Sequence, residues 1–316
     1  MTRRPLLIAL AIGMTAALAA WFMPHPVRLS GADVGDIGLS LAGLSRLHDG
    51  GSPYDVRLRG SHPSLYPMTA LVLLSPLKLF PLRAAPALFI GVTSFALAYA
   101  IGRRGEMWQL LMFASPCYWS AVHSVQWSPL FTAALLLPAL LAVAVAKPQL
   151  GIVLAAAGTW SKRTLLAAAA LVALTFAVRP SWLVEWFRYG NLGTFNGVVP
   201  LMVFPGFLLI ASAFAWRTPR GRLMLAMAVV PQRYLYDQLP LFVVARTWRQ
   251  MVTLLATSWA TVALAFAFQW VDLASGVQRT EVWRAIVIGL FVPATAMLLM
   301  PRAVASDDPQ SSRAET

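Results

Sequence analysis

Long apolar runs separated by short polar clusters account for most of the chain. The first runs from Pro5 to Met23, long enough to span hydrocarbon. It is followed by Gly31 to Pro67, GADVGDIGLSLAGLSRLHDGGSPYDVRLRGSHPSLYP, the one long segment near the start that is not continuously apolar. Within it Ile37, Leu41, Leu44 and Leu47 recur at helical spacing. That spacing predicts an amphipathic helix lying along the bilayer surface. Asp33 and Asp36 stand at its start.

Further along, Met68 to Ile101 holds two apolar runs separated by Pro81-Leu82-Arg83, the first of them broken by Pro76 and Lys78. Pro129 to Trp160 is too long for one helix and too short for three, with Lys147-Pro148 in its middle, which predicts a broken helix. Thr164 to Val178, Leu201 to Trp216, Met251 to Trp270 and Trp283 to Met300 read as ordinary spans, and Arg179 to Pro200 as a long loop. Tryptophans at 160, 216, 248, 270 and 283 fall near run ends, as an interfacial belt requires. The pattern predicts an all-α polytopic membrane helix bundle of roughly eight to eleven crossings. Residues 1–302 form the membrane domain, 24–66 its first outer loop, and 303–316 a disordered cytoplasmic tail.

Composition strengthens this. The chain of 316 residues is 59% hydrophobic and only 12% charged, against about a quarter charged in soluble domains. Met1 to Met23 has a signal-like form, with Arg3-Arg4 ahead of an apolar run, yet its length and the many helices that follow favour an uncleaved first span. A net charge of +13 would suggest nucleic acid in a soluble chain. Here the Arg and Lys fall in clusters between apolar runs, at 3–4, 103–104, 162–163, 217–222, 246–249 and 302, which is the positive-inside pattern. With all of them cytoplasmic, the N-terminus is cytoplasmic and the remaining polar loops converge on the extracytoplasmic face of a multi-pass cell-membrane protein. Met68 to Ile101 must then cross once, which makes its first run re-entrant or interfacial.

The single Cys117 excludes an internal disulfide. There is no GxxxxGK[ST], GxSxG or HExxH, and the four histidines lack metal-ligand spacing, so no metal or cofactor is expected. What remains is a carboxylate pair beside a hydrophobic bundle. Asp33 and Asp36 lie three apart, on one face of a helix, and serve either chemistry or the helix start, Asp33 as its N-cap.

From Asp36 to Asp55 the order D-I-x-L-x-L-A-x-L-x-x-L-x-D-G-G-S-P-Y-D, followed by Leu65-Tyr66-Pro67, resembles the first outer loop of glycosyltransferase family 87. These are polyprenyl-phosphate-sugar-dependent mannosyltransferases of the GT-C superfamily. Val125-Gln126-Trp127-Ser128 stands where that family often has G-Q-x-N, with Val125 in place of the usual Gly. Lys147-Pro148-Gln149 matches its K-P-Q, and Pro231 with Tyr234, Tyr236 and Asp237 its late P-x-x-x-x-Y-D-like element. The resemblance covers about residues 5 to 245.

It implies a GT-C fold and an inverting transfer of a sugar, mannose first, from a polyprenyl phosphate to a glycolipid or envelope glycan acceptor, with membrane lipids as surroundings and no nucleic acid. Asp36 matches the catalytic base. Lys147 is the leading phosphate cation, because an ammonium in a broken mid-membrane segment is costly, although snorkelling would also explain it. Arg57, Arg59 and Arg179 can hold phosphate or merely contact headgroups. His123 and Gln126 can bind sugar or link helices. Tyr54 and Tyr66 can line the site or belong to the aromatic belt, and Asp237 with Tyr236 can form a second polar wall, or Asp237 can pair with Arg233. The alternatives to an enzyme are a flippase or carrier of lipid-linked sugars, and a catalytically silent GT-C relative acting as an assembly partner.

Overall fold

The computed structural model describes residues 3–56, 66–189, 197–270 and 280–300. Arg57, Arg59 and the tail 303–316 lie outside them. Of the described residues 76% are helical, and a single two-stranded ribbon is the only sheet among them, so the bundle is all-α. In order come α1 (Arg4–Phe22), the ribbon strands β1 (Arg28–Leu29) and β2 (Ala32–Asp33), α2 (Ile37–His48), α3 (Met68–Leu74) and α4 (Ala84–Arg104). There follow α5 (Pro116–Ser124), α6 (Ser128–Leu136), α7 (Pro148–Ala157), α8 (Lys162–Val178), α9 (Trp182–Tyr189) and α10 (Pro219–Val229). The chain closes with α11 (Trp248–Ala267), α12 (Thr280–Ile286) and α13 (Val292–Leu299), the last two joined through a π turn into one rod.

Among the described residues four helices are long and apolar enough to cross a membrane: α1, α4, α11 and the rod Thr280–Leu299. The bent pair α8 and α9 makes a fifth, with an 85° turn between its halves. Counting apolar runs gives more crossings because several runs are divided among short helices. Leu201 to Trp216, expected as one span, is built as the 3₁₀ segments Pro200–Met202 and Gly206–Ala215, separated at Pro205. Proline supplies no N–H for a helical ladder, which is why the run breaks there. The stretch after Arg179, expected as loop, begins with the amphipathic α9. The break expected at Lys147-Pro148 is present: Lys147 is extended (φ −143°, ψ 94°) between the 3₁₀ segment Pro138–Ala146 and α7. A residue before proline is pushed out of the helical region.

α1 is apolar on every side and packs along α4 through small residues. A Cβ on Gly91 would lie 2.9 Å from Ala17 Cβ, and Gly102 meets Pro5 in the same way, so the two helices run antiparallel. Gly91→Leu is expected to cost about 1–3 kcal/mol through overpacking, read as a lower unfolding midpoint in detergent. An unchanged midpoint would show that the helices do not meet at this point.

The basic clusters gather at one end of the bundle. Arg103-Arg104 at the end of α4 lies by the start of α1, because Gly102 abuts Pro5. Arg222 donates to Ala156 O at the end of α7, Arg220 to Val243 O at the end of the 3₁₀ segment Leu235–Val244, and Arg246 to Leu298 O at the end of α13. Each cation thus sits on the negative end of a helical segment. Lys147 and Asp237 begin two of those segments and lie at the other end, roughly 15 Å away along the ten residues of α7.

α2 differs from expectation in what its apolar face covers. Ile37 and Leu41 are fully buried in the main core, while Leu44 and Leu47 pack toward Met68, Leu71 and Trp182. The greasy stripe meets protein, and Arg46 and His48 face outward. Lys78, in the 3₁₀ segment Ser75–Leu79, donates to Ser45 of α2, and Arg83 lies over Trp21 near the end of α1. Met68–Leu79 therefore begins and ends at the same end of the bundle.

Candidate active site

The start of α2 is fixed to the end of α5 before any side chain is considered. The Asp36 N–H donates to Ser124 O at 3.0 Å. Val125 then adopts a left-handed backbone (φ 53°), which costs a β-branched residue about 1–3 kcal/mol and is held by full burial around it. Gly35 makes this fit possible, since it has φ 60° itself and a Cβ there would fall 2.4 Å from Val125 Cγ2. The strained turn faces Gln126 toward Asp36.

Five segments remote in sequence supply one connected polar group. Gln126 Nε2 donates to Asp36 Oδ2. Gln126 Oε1 accepts from Tyr66 OH at 3.1 Å and from Lys147 Nζ at 3.3 Å. Lys147 Nζ also donates to Asp237 Oδ1 at 2.7 Å and lies 5.0 Å from the centre of the Tyr236 ring. Asp237 Oδ2 takes the backbone N–H of Arg233 at 3.1 Å, and the Tyr236 hydroxyl donates to Asp36. The interior of this group is dry: Gln126 and Asp237 are 0% exposed and Lys147 4%. Asp36, Tyr66, Arg233 and Tyr234 are only partly buried and form its accessible edge.

The electrostatics follow from that layering. Burial pushes the Asp36 carboxyl up to about 6, against the opposing pull of Lys147 and Arg233, with Asp237 adding to the rise. A folded-state value above the ordinary one means that the ionised carboxylate costs stability. That cost is absent below about pH 4, grows as pH rises toward 6, and is fully present above it. Lys147 and Asp237 neutralise one another, which is the condition for holding either charge in an apolar interior.

Asp36, Gln126, Lys147, Tyr66 and Asp237 thus converge, while the other candidates fall elsewhere. Asp33, expected as the N-cap, is in β2 and pairs with Arg28 at 2.6 Å. Asp36 itself occupies the N-cap position but makes no capping bond with its side chain, which is turned to Gln126 and Tyr236. His123 is exposed at the end of α5, where its carbonyl accepts from His25 Nδ1 at 2.7 Å. Tyr54 is buried against Met68, Leu71 and Trp182. Arg179 pairs with Glu185 of α9 at 2.8 Å, and Glu185 also accepts from Ser52 and Ser181. Tyr54 and Arg179 therefore belong to the joint between the GGSPYD turn and α9.

Sequence reasoning gave Arg233 no role beyond pairing with Asp237. The carboxylate of Asp237 takes the Lys147 ammonium and the backbone N–H of Arg233. A shallow groove of about 690 Å³ lined by Met107, Trp108, Leu110, Leu111, Phe113, Ala114 and Trp119 follows α4, at the basic end, and offers no ionisable side chain. Among the described residues no three His, Cys, Asp or Glu side chains are grouped to hold a metal. No protein-family model, curated protein or solved structure matches the chain.

Proposed function

We propose that the protein is an inverting membrane glycosyltransferase of GT-C type, moving a sugar from a polyprenyl phosphate to a glycolipid or envelope glycan hydroxyl at the outer face of the cell membrane. Mannose is the first sugar to test. The observation that carries this reading is one accessible carboxylate, Asp36, on the edge of an otherwise closed and neutralised polar group at the end of the bundle remote from the basic clusters.

Asp36 takes the proton of the acceptor hydroxyl as that oxygen attacks the anomeric carbon. The new C–O bond forms as the bond to the donor phosphate breaks, and the electron pair leaves with polyprenyl phosphate. A phosphate leaving group requires no second acid; it requires a cation. Arg233, on the accessible edge and close enough to pull on the Asp36 carboxyl, suits that role, since a guanidinium can grip a phosphate through two donors. Lys147 adds positive field from behind, its own charge being engaged by Asp237. With the basic clusters cytoplasmic, the site faces outward and Met68–Leu79 is the re-entrant piece.

A carrier needs polar groups spaced along a path through the bundle. Here they collect at one end, with arginines holding helix ends at the other, which favours the enzyme. Incubating the purified protein with polyprenyl-phosphomannose and membrane-lipid acceptors tests this. Transfer with inversion and release of polyprenyl phosphate is expected, with a rate that falls tenfold per pH unit below about 6, where Asp36 is protonated. Retention at the anomeric carbon would remove the single-displacement mechanism. Absence of transfer from every polyprenyl-phosphate sugar, with transbilayer movement of the lipid instead, would replace the enzyme by a carrier.

A further inference from the structure

Gln126 is the most constrained polar side chain in the group. Its carbonyl oxygen accepts from two donors, Tyr66 OH and Lys147 Nζ; the ammonium has no lone pair to take an amide N–H in return and an ionised Asp36 has no proton to give an amide oxygen, whereas the Tyr66 hydroxyl can serve either orientation. The amide therefore has one orientation, with Nε2 toward Asp36 Oδ2. Lys147 is itself fixed, because Asp237 holds the same ammonium and Asp237 is anchored by the Arg233 backbone. Asp237, Lys147 and Gln126 form a chain of hydrogen bonds from four residues past Arg233 to the proposed base. Its members are almost wholly buried, so substrate reaches Asp36 before it reaches any of them.

Resting on the glycosyltransferase reading, we infer that Gln126 is a positioning residue, with Lys147 as its orientation lock: its amide ties down Asp36 Oδ2 and so holds in place the carboxylate that receives the acceptor's proton. Gln126 does not bind sugar. The amide N–H stabilises the ionised carboxylate, and by holding one oxygen it fixes the plane of the other. The groups that face Asp36 are Lys147 from the start of α7, Arg233, Tyr236 and Asp237 from the segment after α10, and Tyr66 from the segment before α3. Gln126 is the one neutral amide among them, and removing its donor leaves every formal charge around Asp36 as it was.

The test compares the parent with Gln126→Leu and Gln126→Glu in two measurements. The first is the pH profile of kcat and KM for sugar transfer. The second is titration of the Asp36 carboxyl by infrared difference spectroscopy, with Asp36→Asn identifying its band. Gln126→Leu is expected to lower kcat about tenfold to a hundredfold with KM for the donor unchanged, the loss of one hydrogen bond to a charged group. Its carboxyl titration and the acid limb of kcat should both move to higher pH. Gln126→Glu, with a carboxylate beside Asp36, should move both further in the same direction.

A rise in KM with kcat and titration unchanged would overturn the proposal and make Gln126 a substrate ligand. An unmoved Asp36 titration in both variants would overturn it whatever happens to kcat. If the parent transfers no sugar yet the infrared midpoint moves as stated, the enzyme reading fails and the positioning contact stands.

Discussion

Asp36→Asn is expected to reduce sugar transfer by about a hundredfold to ten-thousandfold, the usual range for a lost general base, and to raise the unfolding midpoint at pH 7 to 8. The two changes share one cause. Burial makes the ionised Asp36 costly, and the opposing charges on Lys147 and Arg233 repay only part of that cost. An amide of the same shape carries no charge to desolvate, so the folded state gains what the base had cost, while the acceptor hydroxyl loses the group that takes its proton. The gain appears above about pH 4 and is complete above about 6. Below about 4 the parent carboxyl is neutral and the midpoints of parent and variant should approach one another. Transfer assays alone cannot separate a lost base from a misfolded protein, but activity lost together with stability gained can. Parental activity in Asp36→Asn would remove Asp36 from the reaction. A lowered midpoint would mean that the carboxylate is a structural partner of Gln126 and Tyr236.

The sequence made some of this site legible for a plain reason: polar residues inside apolar runs have few ways to be satisfied. Lys147 interrupts an apolar run, Gln126 and Asp237 lie in short polar breaks between runs, and each ends up bonded to another of them. The proline after Lys147 also told where the helix must break. Residues in the polar stretches were harder to place, because water, headgroups or a neighbouring loop satisfy them equally well. Asp33 found Arg28 across a two-residue ribbon with no periodicity to announce it. Arg179 found Glu185 only because α9 turns 85° from α8, and no local pattern sets that angle. Tyr54 sits in the GGSPYD turn that carries the resemblance, yet its ring packs on Trp182 and Met68 and meets no part of the polar group. Arg233 was weighed against the nearest carboxylate in sequence, whereas three-dimensional packing gave that carboxylate to Lys147, from 90 positions away. Helix existence was readable from apolar periodicity. Helix continuity was not, because a prolyl residue permits a kink or a break and the packing around Pro205 and Lys147 decides which.

The Lys147 and Asp237 pair should show the largest stability effects in the protein. Lys147→Met takes from the fully buried Asp237 the ammonium that neutralises it, and Asp237→Leu leaves that ammonium with the Gln126 carbonyl and the Tyr236 ring. Each single variant is expected to lose about 3–5 kcal/mol, the cost of an uncompensated buried charge. The double variant Lys147→Met with Asp237→Leu removes both charges and replaces them with apolar groups of similar volume. It should recover most of that loss, so the double-variant cycle is strongly non-additive. Unfolding of the four proteins in mixed detergent micelles measures the coupling, and additivity would show that the two side chains do not meet. Activity separates the stabilising from the orienting role of the pair. In the double variant Gln126 loses the ammonium that fixes the sense of its amide, so transfer should stay well below the parent level even where the fold is restored. A stable double variant with parental kcat would show that Lys147 serves only to neutralise Asp237, and that Gln126 keeps its aim at Asp36 without the ammonium.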